Sequence, residues 1–258
     1  MKKKNAFTLA EVLITLGIIG VVAAITLPLL VQNYQKMVLK NQYKKSFSQF
    51  FNAIKLTQAK MGAPVSCWYW ESGKSPYGNI VCQETNEYGT CKKWTMPDGS
   101  PLPSDYNGVF TGCENFYYNE LFRNTLKVAK HCRSHALANG CITESYRGID
   151  KVKAEIDPNV KVDPNSIFSD AAIKNNASAW LLTDGTLIML NAAGSGVGPV
   201  FMIDINGHKR PNKWGYDLFT FFIRGTANDG ITKIDPINYY YEEGGFSSSD
   251  MLYNAFNK

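Results

Sequence analysis

The chain begins with a short basic leader that runs directly into a long apolar stretch. The leader contains Lys2, Lys3 and Lys4. The apolar stretch extends from Phe7 to Val31, is 25 residues long and holds one charged residue, Glu11. As a helix it reaches about 37 Å, enough to cross a hydrocarbon core of about 30 Å with some tilt. Because clustered lysines favour a cytoplasmic N-terminus, the pattern predicts a single-pass membrane helix with the rest of the chain outside.

Beyond Val31 the apolar residues narrow to one stripe. They recur at spacings of three and four residues, the period of one helical face: Tyr43, Phe47, Phe50, Ile54, Thr57 and Met61. Gly62 and Pro64 then end the helical pattern. We therefore predict one long helix over residues 7–64, with its transmembrane part at about residues 7–31. Its second part is expected to pack the stripe against the chain's own head.

Residues 65–258 suffice for one exported head domain with its own core. Their first part, residues 65–112, is rich in Gly, Pro, Ser and Trp and shows little periodicity, so an irregular loop held by disulfides is expected. Apolar residues at helical spacing predict a short helix over residues 115–130.

The clearest sheet signal lies further along the head. Residues 179–183 and 186–190 are apolar runs on either side of Asp184-Gly185, which predicts a β-hairpin with a two-residue turn. Residues 200–205 and 218–223 predict two more strands. The expected fold class is therefore α+β, with the long helix packed on a C-terminal antiparallel sheet.

All cysteines lie in the head, where an even number in an exported region favours disulfides. The six are Cys67, Cys82, Cys91, Cys113, Cys132 and Cys141. The pairs that are near in sequence, Cys132 with Cys141 and Cys82 with Cys91, are the simplest pairing. A zinc site at residues 131–135 is the alternative, but an oxidising compartment favours disulfides.

Nine residues at the start of the apolar stretch resemble the N-terminus of type IV pilins and type II secretion pseudopilins: Ala6-Phe7-Thr8-Leu9-Ala10-Glu11-Val12-Leu13-Ile14. The resemblance implies that a prepilin peptidase cuts between Ala6 and Phe7 and methylates the new amine of Phe7. Two positions depart from the usual pattern. Ala6 replaces the more common glycine, and Ala10 replaces a larger aliphatic residue. Both residues are small and apolar, so slower processing is the largest expected consequence.

The same resemblance implies a role for Glu11. In assembled filaments of that family, the glutamate meets the positively charged N-terminus of a neighbouring subunit. Either charge alone is penalised at low dielectric, whereas the pair attracts strongly, so Glu11 would set the register of assembly. The alternative is an interfacial glutamate that is merely tolerated. Gly17, Gly20 and Pro28 correspond to places where pilin helices bend or melt on packing, although membrane helices also tolerate Gly and Pro.

Oxygen side chains cluster near the predicted C-terminal strands. Asp204, Asn206 and Asp217 could supply ligands to Ca²⁺, and certain secretion pseudopilins carry calcium in their C-terminal loops. The EF-hand spacing is absent, so Asx turns are the favoured interpretation. We therefore expect no cofactor, with calcium as the alternative.

Composition argues against two classes of function. The chain has three histidines and no nucleophile elbow or metalloprotease motif, so we do not expect an enzyme. The net charge of +5 belongs to the N-terminal part, which holds Lys2–Lys4 and six further lysines up to residue 64. Without these nine, 18 basic residues remain in the head against 21 acidic ones. Nucleic acid is therefore not a favoured partner.

The expected function is that of a structural subunit, a pilin or pseudopilin, of a type IV pilus or type II secretion-like filament. The resemblance implies three kinds of partner: prepilin peptidase, other copies or related pilins, and an inner-membrane assembly platform. It also implies an inner-membrane location with the head outside, followed by entry into the filament. The alternative function is a minor or tip pilin whose head binds a surface glycan, a partner protein or DNA.

Overall fold

The structure is a computed structural model of the 258-residue chain. It describes residues 8–61, 81–85, 91–96, 98–101, 120–164, 166–191, 200–225, 232–238 and 241–257. Among the candidate processing, assembly, disulfide and metal residues, four lie outside these ranges: Ala6, Phe7, Cys67 and Cys113. The leader lysines and the predicted helix end at Gly62 and Pro64 lie outside them as well. The side chains of Cys82 and Cys91 also lie outside the description, so the bridge expected between them stays a prediction.

Three α-helices, two π-helical turns and eight strands lie in the described part of the chain. The helices are α1 (Leu9–Met61), α2 (Ile149–Ile156) and α3 (Ser248–Phe256). The π-helical turns are Glu120–Thr125 and Ala172–Asn176. The strands are β1 (Val81–Thr85), β2 (Cys91–Thr95), β3 (Val128–Cys132), β4 (Ser178–Leu182), β5 (Leu187–Asn191), β6 (Val200–Asp204), β7 (Leu218–Gly225) and β8 (Thr232–Ile237).

The chain divides into two compact units, residues 1–41 and residues 42–258, and α1 contributes to both. An 18-residue window of α1 has a mean hydropathy of 2.5, and none of that window is buried. By length and composition this helix could cross a membrane. Pro28 lies inside α1 without ending it.

The second unit is built on a six-stranded antiparallel sheet with strand order β3-β4-β5-β6-β7-β8. Each strand pairs with the next one along the chain, so every connection in the sheet is a reversal. β1 and β2 form a separate antiparallel pair. A long apolar helix followed by an antiparallel sheet confirms the predicted α+β class.

Three local predictions differ from the structure. The helix predicted over residues 115–130 is wrong at its end, because residues 128–132 form β3 and pair with β4. Short segments of this kind take the conformation that a neighbouring strand offers, whatever their own preference. The irregular loop predicted over residues 65–112 contains the strands β1 and β2. The β4–β5 hairpin is present, but Thr183–Thr186 separate its strands instead of two residues.

Alternation along β6 separates two apolar layers, and all five of its residues are buried. Val200 and Met202 belong to the cluster on one face, together with Phe168 and Trp214. Phe201 lies on the other face, where its ring centroid is 5.2 Å from that of Phe50 in α1.

The stripe predicted on the second part of α1 does pack against the sheet. Four of its members are at most 2% exposed: Tyr43, Phe50, Ile54 and Thr57. The Tyr43 ring meets the Phe219 ring edge-on at 4.8 Å. Two ion pairs rim this contact, Lys45 with Asp184 at 3.0 Å and Lys60 with Glu120 at 2.8 Å. The prediction that the second part of α1 packs against the head domain is therefore confirmed for residues 43–57.

Candidate functional site

The N-terminal end of α1 is closed by two residues that bind each other. Thr8 immediately precedes the helix, and Glu11 is the third helical residue. The backbone N–H and the hydroxyl of Thr8 each donate to Glu11 Oε2 at 2.9 Å. In return, the backbone N–H of Glu11 donates to Thr8 Oγ1 at 3.3 Å. This reciprocal arrangement is a capping box, which satisfies N–H groups that the first helical turn leaves without partners.

The capping role of Glu11 was not among the roles predicted from the sequence. Thr-x-x-Glu before an apolar run is the signature of a capping box, so the signal was available in residues 8–11. Both bonds from Thr8 use Oε2. Among the described residues, Glu11 Oε1 is therefore open to a further donor.

The other hydroxyls of the apolar stretch are satisfied within the helix. Thr15 Oγ1 lies 2.9 Å from the carbonyl oxygens of both Glu11 and Val12, and Thr26 Oγ1 donates to the Val22 carbonyl at 2.9 Å. Such bonds remove the cost of placing a hydroxyl in hydrocarbon. The polar side chains of this helix are thus compatible with lipid.

The apolar side chains of the same stretch are exposed on all sides. The large ones between residues 9 and 31 range from 43% exposed at Val12 to 80% at Leu9. Gly17 and Gly20 are equally open, since a Cβ at either would meet nothing within 4 Å. An apolar surface of this extent requires lipid or other apolar helices around it.

Residues 1–27 match the family model of the prokaryotic N-terminal methylation motif. The chain has a prepilin-type N-terminus. The motif identifies a prepilin peptidase substrate of the kind that assembles into filaments, and the apolar helix is consistent with membrane anchoring. No curated protein and no solved structure matches the chain.

The match covers most of the residues that the sequence analysis assigned to processing and assembly. It includes Ala6, Phe7, Glu11, Gly17 and Gly20 and ends just before Pro28. The prepilin-type signature therefore supports the processing segment as a unit. The individual roles of these residues in assembly remain proposals.

In the head of this prepilin-type chain, the β6–β7 loop buries two aspartates. Neither Asp204 nor Asp217 is exposed. Asp204 Oδ1 accepts hydrogen bonds from the backbone N–H groups of residues 206 and 207 at 2.9 and 2.7 Å. Asp217 accepts from those of residues 212 and 213 at 2.8 and 2.6 Å. Asp204 thus forms an Asx turn, whereas Asp217 accepts from N–H groups four and five residues before it and holds the loop by a longer-range contact.

These contacts bear on the calcium alternative. The structure does bring Asp204, Asn206 and Asp217 into one loop, but N–H donors already face both carboxyl groups. A calcium ion would compete with them for the same lone pairs. Within the described residues, no group of three or more His, Cys, Asp or Glu could hold a metal. The loop therefore fits a hydrogen-bonded turn better than a calcium site.

Tyr146 completes the buried cluster. Its hydroxyl oxygen lies 2.5 Å from Asp204 Oδ2 and 3.0 Å from the Gly207 carbonyl oxygen. Burial, and after it the charge of Asp217, raises the pKa of Asp204 well above its usual range. The Tyr146 hydroxyl donates to Asp204 Oδ2, and the Gly207 carbonyl oxygen is a second acceptor for the same proton.

A second network ties the segment before α3 to the loop. Arg147 donates to Glu155 at 2.6 Å and to Glu242 at 3.0 Å, and Glu242 Oε1 accepts from the backbone N–H of Trp214 at 3.2 Å. Arg147 and Glu242 are 95 residues apart. No local pattern in the sequence could have paired them.

Gly215 packs against the segment before α3, at Tyr241 and Phe246. Replacing Gly215 tests how closely that segment packs on the β6–β7 loop. It has φ +81°, and a Cβ there would come within 2.5 Å of Tyr241 Cβ and 2.7 Å of the Phe246 carbonyl oxygen. We expect Gly215→Ala to lower the free energy of unfolding by about 2–4 kcal/mol, since backbone strain and overpacking add. Urea unfolding of the detergent-solubilised chain, followed by tryptophan fluorescence, measures the loss.

Gly99→Ala is the matched control for Gly215→Ala. Gly99 has φ +83°, but a Cβ there would meet nothing within 4 Å. This variant should therefore show backbone strain alone, about 1 kcal/mol. Equal losses for the two variants would contradict close packing at Gly215.

A disulfide joins Cys132 at the end of β3 to Cys141. This is one of the two pairings that the sequence favoured. Because both sulfurs are in the bridge, residues 131–135 lack the thiolate that the zinc alternative required. His208 Nε2 lies 2.8 Å from the Cys141 carbonyl oxygen, so this ring nitrogen is engaged in a hydrogen bond.

Proposed function

We propose that the chain is a structural subunit, a pilin or pseudopilin, of a type IV pilus or type II secretion-like filament. The observation that carries the proposal is the prepilin-type motif on a helix whose apolar side chains are exposed all round. Such a helix needs lipid before assembly and the apolar helices of neighbouring copies after it. In this proposal the subunit waits in the inner membrane, and an assembly platform moves it into the filament.

The proposed processing creates the charge that assembly uses. Prepilin peptidase hydrolyses the peptide bond between Ala6 and Phe7, so Lys2–Lys4 leave with the leader. Phe7 then carries a free amine in place of an amide and receives a methyl group on it. A methylated amine stays protonated at neutral pH. Cleavage therefore places a cation at the apolar end of the helix.

Glu11 is the proposed acceptor for that cation in a neighbouring copy. A carboxylate near the end of a membrane helix is costly while it has no charged partner. Oε2 stays in the capping box with Thr8, and Oε1 accepts from the ammonium of the neighbour's Phe7. The ion pair forms only when two copies are offset by one step, so it sets the register of the filament.

The proposed processing is tested by mass spectrometry of the mature protein. The first peptide is expected to begin with N-methylated Phe7. The same chain expressed without prepilin peptidase should keep Met1 and its leader, which is the control. A leader retained in the presence of the peptidase, or a start near Ile25, would contradict the proposal.

A further inference from the structure

One segment of the head is basic throughout, although the head as a whole is acidic. No acidic residue occurs between Glu120 and Glu144. The residues of this segment that can carry a positive charge are Arg123, Lys127, Lys130, His131, Arg133 and His135. The whole head has 21 acidic residues and 18 basic ones, so positive charge is concentrated in this segment.

A stack of rings brings part of this segment together. Trp180 of β4 lies opposite His131 of β3, and their rings stack at 4.8 Å with an angle of 10° between planes. The Trp180 ring also stacks on Phe122 at 3.9 Å and 6°. Arg123 follows Phe122 in the chain, and Arg133 lies two residues after His131. Alternation along β3 places His131 and Arg133 on the same side of the chain, and Arg123 adjoins the Phe122 end of the stack.

Among the described residues, these guanidinium groups lack the carboxylate partners that Arg147 has. Within the part of the chain that the structure describes, neither Arg123 nor Arg133 forms an ion pair, whereas Arg147 binds two glutamates. Glu120, the acidic residue nearest in sequence to Arg123, is taken by Lys60 at 2.8 Å and by Asn124 at 2.6 Å.

The charges around His131 are all of one sign. Burial, followed by the charges of Arg133 and Arg123, lowers the pKa of His131. Lys130, on the same strand, points its Nζ at the Gly140 carbonyl oxygen at 3.5 Å. Lys60 and Glu120 neutralise each other, and β4 has no charged residue. No described carboxylate is left to balance the three groups.

We propose that Arg123, His131 and Arg133 form a binding site for a phosphate group. Guanidinium groups match the geometry of phosphate oxygens and stay charged at every physiological pH. A bound phosphate would supply the missing negative charge, and a protonated His131 would donate a third hydrogen bond to it. The ligand is either free phosphate or a phosphate group carried by a nucleic-acid strand. The guanidinium and imidazole N–H donors would bind the phosphate oxygens of either ligand in the same way.

The three histidines of the chain provide the test. The full chain, labelled at histidine and held in detergent micelles, is titrated by NMR with and without 20 mM inorganic phosphate at matched ionic strength, about 0.15 M. We expect phosphate to raise the titration midpoint of His131 by about half a pH unit or more. Of the three histidines, His131 should respond most, because the charges of both arginines act on its ring.

Paired variants separate a built site from general charge. Arg123→Gln with Arg133→Gln should abolish the response of His131 to phosphate. Lys209→Gln with Arg210→Gln removes the same number of exposed positive charges elsewhere and should preserve it. A thermal melt of each variant confirms that the head remains folded.

A second arm identifies the source of the phosphate. A single-stranded oligonucleotide that reproduces the His131 shift at micromolar concentration assigns the site to a nucleic-acid strand. A response to inorganic phosphate alone assigns it to the free ion. The proposal is overturned if phosphate leaves His131 unchanged, if all three histidines respond equally, or if the response survives loss of both arginines.

Discussion

Glu11→Ala is expected to yield a chain that is cleaved, methylated and retained in the membrane but does not enter filaments. Cleavage depends on the segment around Ala6 and Phe7, which the change leaves intact. Assembly depends on the ion pair proposed between Glu11 and the neighbour's Phe7 amine. Removing one partner of a buried ion pair costs about 3–5 kcal/mol, because the other charge stays buried alone. Incorporation should therefore fall by about two to four orders of magnitude.

Two further variants separate the charge of Glu11 from its capping role. Glu11→Gln keeps a side chain that can complete the capping box but removes the charge, so it should fail in assembly like Glu11→Ala. Thr26→Val removes a hydroxyl that bonds only to the Val22 carbonyl, and it should assemble normally. The measurement is the ratio of filament to membrane protein on immunoblots. Normal incorporation of Glu11→Gln would show that Glu11 acts only as a helix cap.

The head is expected to be more stable at about pH 5 than at pH 8. Burial raises the pKa of Asp217 to about 6 and that of Asp204 well above its usual range. Between about pH 4 and these raised values, the folded head binds more protons than the unfolded chain. The free energy of unfolding must then fall as pH rises. For Asp217 alone the full loss, from below pH 4 to pH 8, is about 3 kcal/mol. About half of it, roughly 1.4 kcal/mol or about 3–6 °C in melting temperature, falls between pH 5 and pH 8.

Other carboxyl groups confine this trend to the range above about pH 4. Hydrogen bonds and ion pairs lower the pKa of Asp170 and Asp184 despite their partial burial. The stability that these two groups contribute is fully present above the pKa of an unfolded aspartate. It is lost as the pH falls through their lower pKa values in the folded state. Stability should therefore pass through a maximum at about pH 4–5. Calorimetry at a series of pH values on both sides of this maximum would reveal it.

Asp204→Asn tests which group is responsible for the alkaline loss. The amide oxygen can keep the two N–H bonds from residues 206 and 207, and the amide N–H can donate to Tyr146. Since the variant has no charge to bury, we expect higher stability than the wild type at pH 8 and a flatter profile. Asp157→Asn, at an exposed turn, should leave the profile unchanged. A variant less stable at pH 8 than the wild type would mean that Asp204 is ionised in the fold.

The processing segment could be predicted from the sequence because the residues that define it are close together in the chain. Ala6, Phe7 and Glu11 lie within six residues, and residues 1–27 match the methylation motif. The capping box of Thr8 and Glu11 is local as well and could have been read at the same time. The basic segment from Arg123 to Arg133 was also visible, but its geometry depends on the rings of Phe122 and Trp180, which lie far apart in the chain.

The sequence by itself determined the apolar anchor, the packed stripe of α1 and the β4–β5 hairpin. Each depends on a period or a turn that a few neighbouring residues define. The tertiary structure alone decided that residues 128–132 form an edge strand and not the end of a helix, because pairing with β4 overrides a weak local preference. It also decided the Asp204–Asp217–Tyr146 cluster and the Arg147–Glu242 contact. Both contacts join strands and loops that are far apart in the chain and come together only on folding. No pattern among neighbouring residues predicts them.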